Sequence, residues 1–469
     1  MRLNKTQKRF VRKHCRKLTV AEMARRLKLR PPDIEAALRQ LKLHALPEGS
    51  NTDRPKREAR GEELLARIGA RFAFLDRYAV AFWLVVGFAF LLRLFHLIEV
   101  ADTAFFRHLH TDPFMYHHWA IEITEGDWLG KSKPVFYLGP LYPYFLAVIY
   151  SMAGPSTIAA CIVQVILSAL SAGLVYHLGR QLFGSAVGVV AGLLAALYGM
   201  MIFYSSLILG ATLIIFLDLL MLVLLSSGLR KPALWKWLAA GVCFGLSACA
   251  RGTVALFGPL AVLAIILCFS VRSWKKWLLA CAALTSAFFA TIAPVTLHNC
   301  LIGDDAVLLT SNAGVNLFIG SNAHSKGHFI AAPRYKGRLL GASVRDQQSN
   351  FPEIAKDELG RDDLVPSEVS RFWWRKSVEG IKEDLTGWLT LEANKLKYIV
   401  NAYESPNNRS YYFSKRFSVL LRLPLVTYGV ILPLAVAGIV ISLKRWKEQG
   451  VLYAFLLAHV AGLLAFGTG

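Results

Sequence analysis

Charge is scarce in this sequence. Asp, Glu, Lys and Arg make up 18% of its 469 residues, against about 25% in a typical soluble domain. Acid is scarcer than base, with 31 Asp and Glu beside 53 Lys and Arg. Cysteine is also sparse: there are seven. Cys161, Cys243, Cys249, Cys268 and Cys281 fall inside apolar runs, Cys15 in a basic head, and only Cys300 in an outer loop. Neither a disulfide framework nor a CxxC metal pattern follows from that spacing. Glycine shows no period, which excludes a collagen-like chain, and the sequence is too apolar for disorder. The first apolar run starts near Ala79, far later than in a signal peptide.

Long apolar runs are what the sequence has instead, with 55% hydrophobic residues overall. A full crossing needs about 20 mostly apolar residues. Runs of that kind lie near 79–98, 157–178, 185–203, 207–227, 235–250, 253–271, 277–297, 421–443 and 450–467. The expected fold class is therefore an all-α polytopic membrane protein of about nine transmembrane helices. The run 139–153 is shorter and opens on prolines, as an interfacial or re-entrant helix does.

Basic residues orient these runs. With the head cytoplasmic and 139–153 not crossing, Arg180, the group Arg230, Lys231 and Lys236, the group Arg272, Lys275 and Lys276, and the group Lys444, Arg445 and Lys447 all fall on the cytoplasmic side. Two large extracytoplasmic loops remain, about 99–156 and 298–420. Within the second, 388–403 is apolar yet holds Glu392, Lys395 and Lys397, so it is expected to lie on the membrane surface.

Residues 1–78 carry 21 Lys and Arg against nine acids. Within them, 1–46 reads as a small helical cytoplasmic head. Thr19 and Glu22 form a capping box for one helix, and Pro31 and Pro32 open a second with Ile34, Ala37, Leu38 and Leu41 at helical spacing. The pair resembles a helix-turn-helix unit. Residues 47–78 read as a linker and juxtamembrane segment, with 47–62 rich in turn-forming residues. The membrane domain is 79–469, and its end directly after the last apolar run fits a fragment or a natural short form equally.

The first outer loop holds the chemistry. It reads Thr111-Asp-Pro-Phe-Met-Tyr-His-His-Trp-Ala, then Glu125-Gly-Asp-Trp-Leu-Gly, then Pro140-Leu-Tyr-Pro-Tyr. An acid just outside the first span, followed by interfacial aromatics, can hold a polar acceptor at the membrane surface. Asp112 followed by Pro113 is also the pattern of a helix N-cap with Pro at N1, and the two roles can coexist. Glu99 and Asp102 are back-up acids. His110, Asp112, His117 and His118 specify no metal geometry by their spacing, and packing beside Trp119 is the commoner use of such histidines. Arg251 ends the fifth span, where its planar fork suits a phosphate or snorkels to headgroups. Arg93 lies inside the first span and is expected to face the bundle or reach outward. In the second loop, turns at Ser311-Asn-Ala-Gly and Gly320-Ser-Asn are expected to separate short strands at 307–309 and 315–319. Asn316 and Asn322 could bind a sugar there or simply form turns.

In their order, these first-loop motifs resemble the C-type-fold integral-membrane glycosyltransferases that use polyprenyl-phosphate sugars, the protein mannosyltransferase and aminoarabinose transferase group called family 39. The similarity continues through Gly179-Arg-Gln-Leu-Phe-Gly, Ala250-Arg-Gly-Thr and Thr310-Ser-Asn-Ala-Gly-Val-Asn-Leu-Phe-Ile-Gly-Ser-Asn. It reaches Pro366-Ser-Glu-Val-Ser and Asn401-Ala-Tyr-Glu-Ser, so it spans roughly residues 85–469. The resemblance implies inverting transfer from a polyprenyl-phosphate-linked sugar to a protein, lipid or glycan acceptor outside the cytoplasm, at the cell (inner) membrane. Asp112 takes the place of the family's general base, and Tyr116, His117, Tyr142, Arg251, Asn316 and Asn322 are the candidate substrate-binding residues. The family commonly has an acid in the turn after the third span, where this chain reads Tyr204-Ser-Ser-Leu-Ile-Leu-Gly-Ala-Thr. No metal and no cofactor are assigned.

Two other function classes compete. A transporter or flippase predicts charged or polar residues in several spans and inverted repeats, whereas the spans are nearly charge-free beyond Arg93 and Asp218 and no repeat is evident. A membrane-tethered DNA-binding sensor would use the basic head, yet needs few spans, and nucleic acid is not assigned as a partner.

Overall fold

The computed structural model describes residues 7, 10–11, 14–15, 19–27, 29–45, 78–268, 274–322, 325, 327, 334–341, 343–406 and 408–467. The chain divides into two compact units, Met1–Asp76 and Arg77–Gly469. The linker expected over 47–62 lies outside the described residues.

In the first unit, α1 (Val20–Leu27) and α2 (Pro31–Gln40) pack through Met23, Ala24, Ile34, Ala37 and Leu38. The expected capping box is present: the Glu22 amide donates to Thr19 Oγ1 and the Thr19 amide to Glu22 Oε2, each at 3.3 Å. Two otherwise orphaned N–H groups are thereby satisfied.

The second unit is helical and apolar. In chain order it contains α3 (Tyr78–Ala101), α4 (Ala104–Arg107), α5 (Thr111–Thr124), α6 (Leu141–Ala153), α7 (Thr157–Phe183), α8 (Ser185–Leu197) and α9 (Gly199–Ser205). Next come α10 (Ala211–Arg230), α11 (Leu234–Ala250), α12 (Phe257–Cys268) and α13 (Trp274–Leu301). Five stretches are long and apolar enough to cross a membrane: Tyr78–Ala101, Thr157–Phe183, Ala211–Arg230, Trp274–Leu301 and Tyr428–Phe466. Leu141–Ala153, Ser185–Leu197, Leu234–Ala250 and Gly252–Cys268 are shorter apolar helical stretches. At 13 residues, α6 is about 20 Å long, short of a hydrocarbon core. The protein is thus an all-α polytopic membrane protein, with helices α3, α7, α8, α10, α11 and α13 packed side by side. Close approach depends on small residues; a β-carbon on Gly241 of α11 would overlap the Leu284 carbonyl of α13.

The single crossing expected at 185–203 is interrupted. Helix α8 stops at Leu197 and α9 starts at Gly199. A helix end inside an apolar layer strands carbonyls, and buried Arg93 takes them up. Its Nη1 donates to Ala196 O (3.1 Å) and Nη2 to Ala195 O (3.2 Å), while Nε donates to Ser168 Oγ (2.6 Å). Val426 N donates to Leu197 O and Gly199 N to Val426 O. Arg93 therefore faces the bundle, for a structural reason.

After α13 come α14 (Ala313–Ser321), a hairpin of β1 (Arg334–Tyr335) and β2 (Arg338–Leu339), then α15 (Val344–Leu359), α16 (Pro366–Glu383) and α17 (Leu385–Ile399). The strands expected at 307–309 and 315–319 do not form: 307–309 is irregular, and 315–319 lies in α14. Val315 and Phe318, three apart, both insert against Val369, Phe372 and Trp373, and that packing overrides the strand preference of the β-branched residues. Helix α17 covers most of the stretch expected on the membrane surface. Its buried Lys395 pairs with Glu392 (2.7 Å) and donates to the Leu464 carbonyl. Short helices α18 (Tyr411–Ser414) and α19 (Val419–Arg422) lead to α20 (Tyr428–Ser442) and α21 (Trp446–Phe466). These last two helices meet at a one-turn 3-10 helix, Leu443–Arg445, where Lys444, Arg445 and Lys447 are exposed.

Candidate active site

Asp112 lies in the first turn of α5, not at its cap; His110 occupies the N-cap position. Thr111 has a left-handed φ of +54°, a strained conformation for a β-branched residue. The expected Asp-Pro cap is replaced by a long-range contact. Asn408, 296 positions away, donates from Nδ2 to Asp112 Oδ2 at 2.9 Å. Its Oδ1 accepts from Thr111 Oγ1 (2.6 Å) and from the Asp112 amide (3.2 Å). Burial raises the Asp112 carboxyl above its ordinary value, and the bond from Asn408 pulls the other way.

Tyr116 follows one helical turn later and shares the Asp112 face. Its ring stands edge-on to Tyr142 at 5.1 Å. Burial and the Asp112 charge raise the Tyr116 hydroxyl, whereas Arg251 opposes them. Arg251 directly follows α11; its side chain is exposed and makes no ion pair among the described residues. Arg251 and Glu404 also both act on Tyr204. The Glu404 carboxyl accepts from Tyr198 OH at 3.3 Å and is raised by burial, with hydrogen bonds from Tyr198 and the Tyr428 amide opposing.

The remaining candidates are placed differently. Tyr142 is buried and donates its hydroxyl to Gln164 (2.9 Å), so it braces Tyr116 from the core. His117 points away from the Asp112 face, its Nδ1 2.8 Å from Tyr150 OH. Asn322 caps the end of α14, donating to the Phe318 and Ile319 carbonyls. Asn316 lies in the same helix, which packs on α16 and α21, whereas α5 packs on α6. Glu99 accepts from Ser418 Oγ (2.6 Å) and from the Val419 and Leu420 amides. Asp102 pairs with Arg107 at 2.7 Å. Both back-up acids are thus engaged elsewhere. Asn408 carries no sequence signal of its own, since Asn in a turn is ordinary; Glu404 lies in the Asn401-Ala-Tyr-Glu-Ser motif, which marks the segment without distinguishing its acid.

Beside the Asp112 turn is a cavity of about 280 Å³ lined by His110, Pro113, Leu207, Asn408, Arg409 and Phe413, among others. Among the described residues, no three His, Cys, Asp or Glu gather as a metal site.

Residues 132–298 match the family model described as dolichyl-phosphate-mannose-protein mannosyltransferase. The matched segment contains Arg251 and begins after Asp112. A comparison with curated proteins finds no significant match. Among solved structures, the chain is similar to the Archaeoglobus fulgidus oligosaccharyltransferase in complex with Zn and sulfate (15% identity, TM-score 0.40, 82% of this chain and 48% of that one). It is also similar to the oligosaccharyltransferase AglB of Archaeoglobus fulgidus in complex with an inhibitory peptide and a dolichol-phosphate (13% identity, TM-score 0.37, 84% and 56%). The chain spans about half the length of these structures. Through residues 132–298, then, this membrane protein resembles a glycosyltransferase family named for dolichyl-phosphate-mannose.

Proposed function

We propose that the protein is a membrane glycosyltransferase that moves a sugar from a polyprenyl-phosphate donor to an extracytoplasmic acceptor with inversion. The observation that supports this reading is the Asp112 carboxylate in the first turn of α5, held through one oxygen by Asn408 at 2.9 Å. One Asp112 oxygen is held by Asn408, which leaves the other as the proton acceptor. An acceptor hydroxyl or amine gives its proton to that oxygen while its heteroatom bonds to the anomeric carbon. The bond from that carbon to the phosphate oxygen breaks on the opposite face, and the electron pair leaves with the lipid phosphate. A single displacement of this kind inverts the anomeric centre. Arg251 matches the leaving phosphate, whose charge its planar fork can receive through two hydrogen bonds. Such a donor arrives within the bilayer, which suits a site built where the spans end. The N-terminus is then cytoplasmic and the site extracytoplasmic, at the cell (inner) membrane.

The test is transfer from labelled polyprenyl-phosphate sugars in membranes carrying the full chain. Wild type should consume donor, and Asp112→Asn should lose about 10²–10⁴-fold, the usual contribution of a general base. Wild-type transfer by Asp112→Asn would overturn the assignment, and no donor loss from any lipid would point to transport.

A further inference from the structure

We infer that Asn408 is a positioning residue for the Asp112 carboxylate, and that the second outer loop thereby sets the geometry of the base in the first. The inference rests on the reading of Asp112 as general base. Its ground is the convergence of three hydrogen bonds on one side chain. The Asn408 amide donates to Asp112 Oδ2 at 2.9 Å, and its carbonyl accepts from the Asp112 amide at 3.2 Å and from Thr111 Oγ1 at 2.6 Å. Both functional groups of Asn408 are therefore spent on two consecutive residues. The second of these is the candidate base, and the first has a strained φ of +54°. Strain at a single residue persists only where surrounding contacts over-determine it, and Asn408 supplies one such contact to Thr111 and a second to the amide of the next residue. By holding Oδ2, Asn408 fixes the carboxylate plane and directs Oδ1 toward the reacting proton. A merely structural asparagine would need only the two bonds to Thr111 and the amide; the donated bond to Oδ2 acts on the ionised form of the acid. The other titratable groups around Asp112 are His110 and Tyr116 on its own segment, Arg409 beside Asn408, and Arg251 at the end of α11.

The experiment compares Asn408→Ala, Asn408→Asp and Asp112→Asn in the full chain, in membranes, with a labelled polyprenyl-phosphate sugar. In Asn408→Ala, kcat should fall on the order of 10²-fold, the scale of a misplaced catalytic group, with KM for the donor unchanged. Removing a donor to the charged form raises the carboxyl pKa, so the acid limb of the rate should move to higher pH. Asn408→Asp keeps an acceptor for Thr111 and the Asp112 amide but sets a second carboxylate against Asp112. Its acid limb should move further, and it reads the same effect should the alanine variant fail to accumulate. Wild-type kcat and an unmoved acid limb in Asn408→Ala, with Asp112→Asn inactive, would overturn the positioning role alone. Full activity in Asp112→Asn would instead remove the base reading on which it rests.

Discussion

Gly139 and Cys249 are in direct backbone contact: a β-carbon on Gly139 would come within 2.5 Å of the Cys249 carbonyl oxygen. Through this contact the first outer loop, where α6 begins, abuts the end of α11 from which Arg251 projects.

Gly139→Ala should push these two segments apart. The expected result is a raised KM for the lipid-phosphate donor with a smaller change in kcat, read from initial rates over a donor series. An unchanged KM would separate Arg251 from this contact.

Arg251→Ala should weaken donor binding about tenfold or more, since a charge-assisted hydrogen bond contributes about 1.5–3 kcal/mol. Arg251→Lys should recover part of the loss, because it keeps the charge and gives up the fork. Equal KM values across wild type and both variants would remove Arg251 from the phosphate site.

The pH dependence of transfer follows from burial. Asp112 must be ionised to accept a proton, and its carboxyl is raised above the ordinary value. The rate should therefore fall as pH drops through a point above about 4, the usual carboxylate range. A kcat profile with its acid limb at or below that range would contradict the buried placement.

Arg93→Met should unfold or destabilise the bundle without touching the chemistry. It strands the Ala195 and Ala196 carbonyls at the break in the third apolar run, at a cost of about 1–3 kcal/mol for each unsatisfied group. Thermal unfolding in detergent should show the loss as a lowered Tm.

Glu99→Ala separates two acids. Glu99 holds the Val419 and Leu420 amides and the Ser418 hydroxyl, so Tm should fall while transfer per folded molecule persists. Loss of transfer at unchanged Tm would make Glu99 the base.

The primary sequence determined the solvent of this protein. Runs of about 20 apolar residues do not depend on neighbours, so the helical membrane class, the short α6 and the Thr19–Glu22 capping box could all be read locally. The resemblance carried by the ordered motifs makes Asp112 and Arg251 candidates, a role that transfer assays must decide. What stayed hidden depends on contacts between distant residues. The interruption at Tyr198 becomes tolerable because Arg93, about a hundred positions earlier, and Val426, more than two hundred later, reach the freed backbone groups. The strand expected at 315–319 became a helix because Trp373 and its neighbours offered a helical packing face. Asp112 looked like a cap because Asp-Pro is one locally; Asn408, 296 residues on, gave its carboxylate a different partner. Local pattern fixes which segments enter the membrane, since each must satisfy its own backbone there. Tertiary structure decides which polar side chains meet, because hydrogen-bond geometry is set by the packing of segments the sequence keeps far apart.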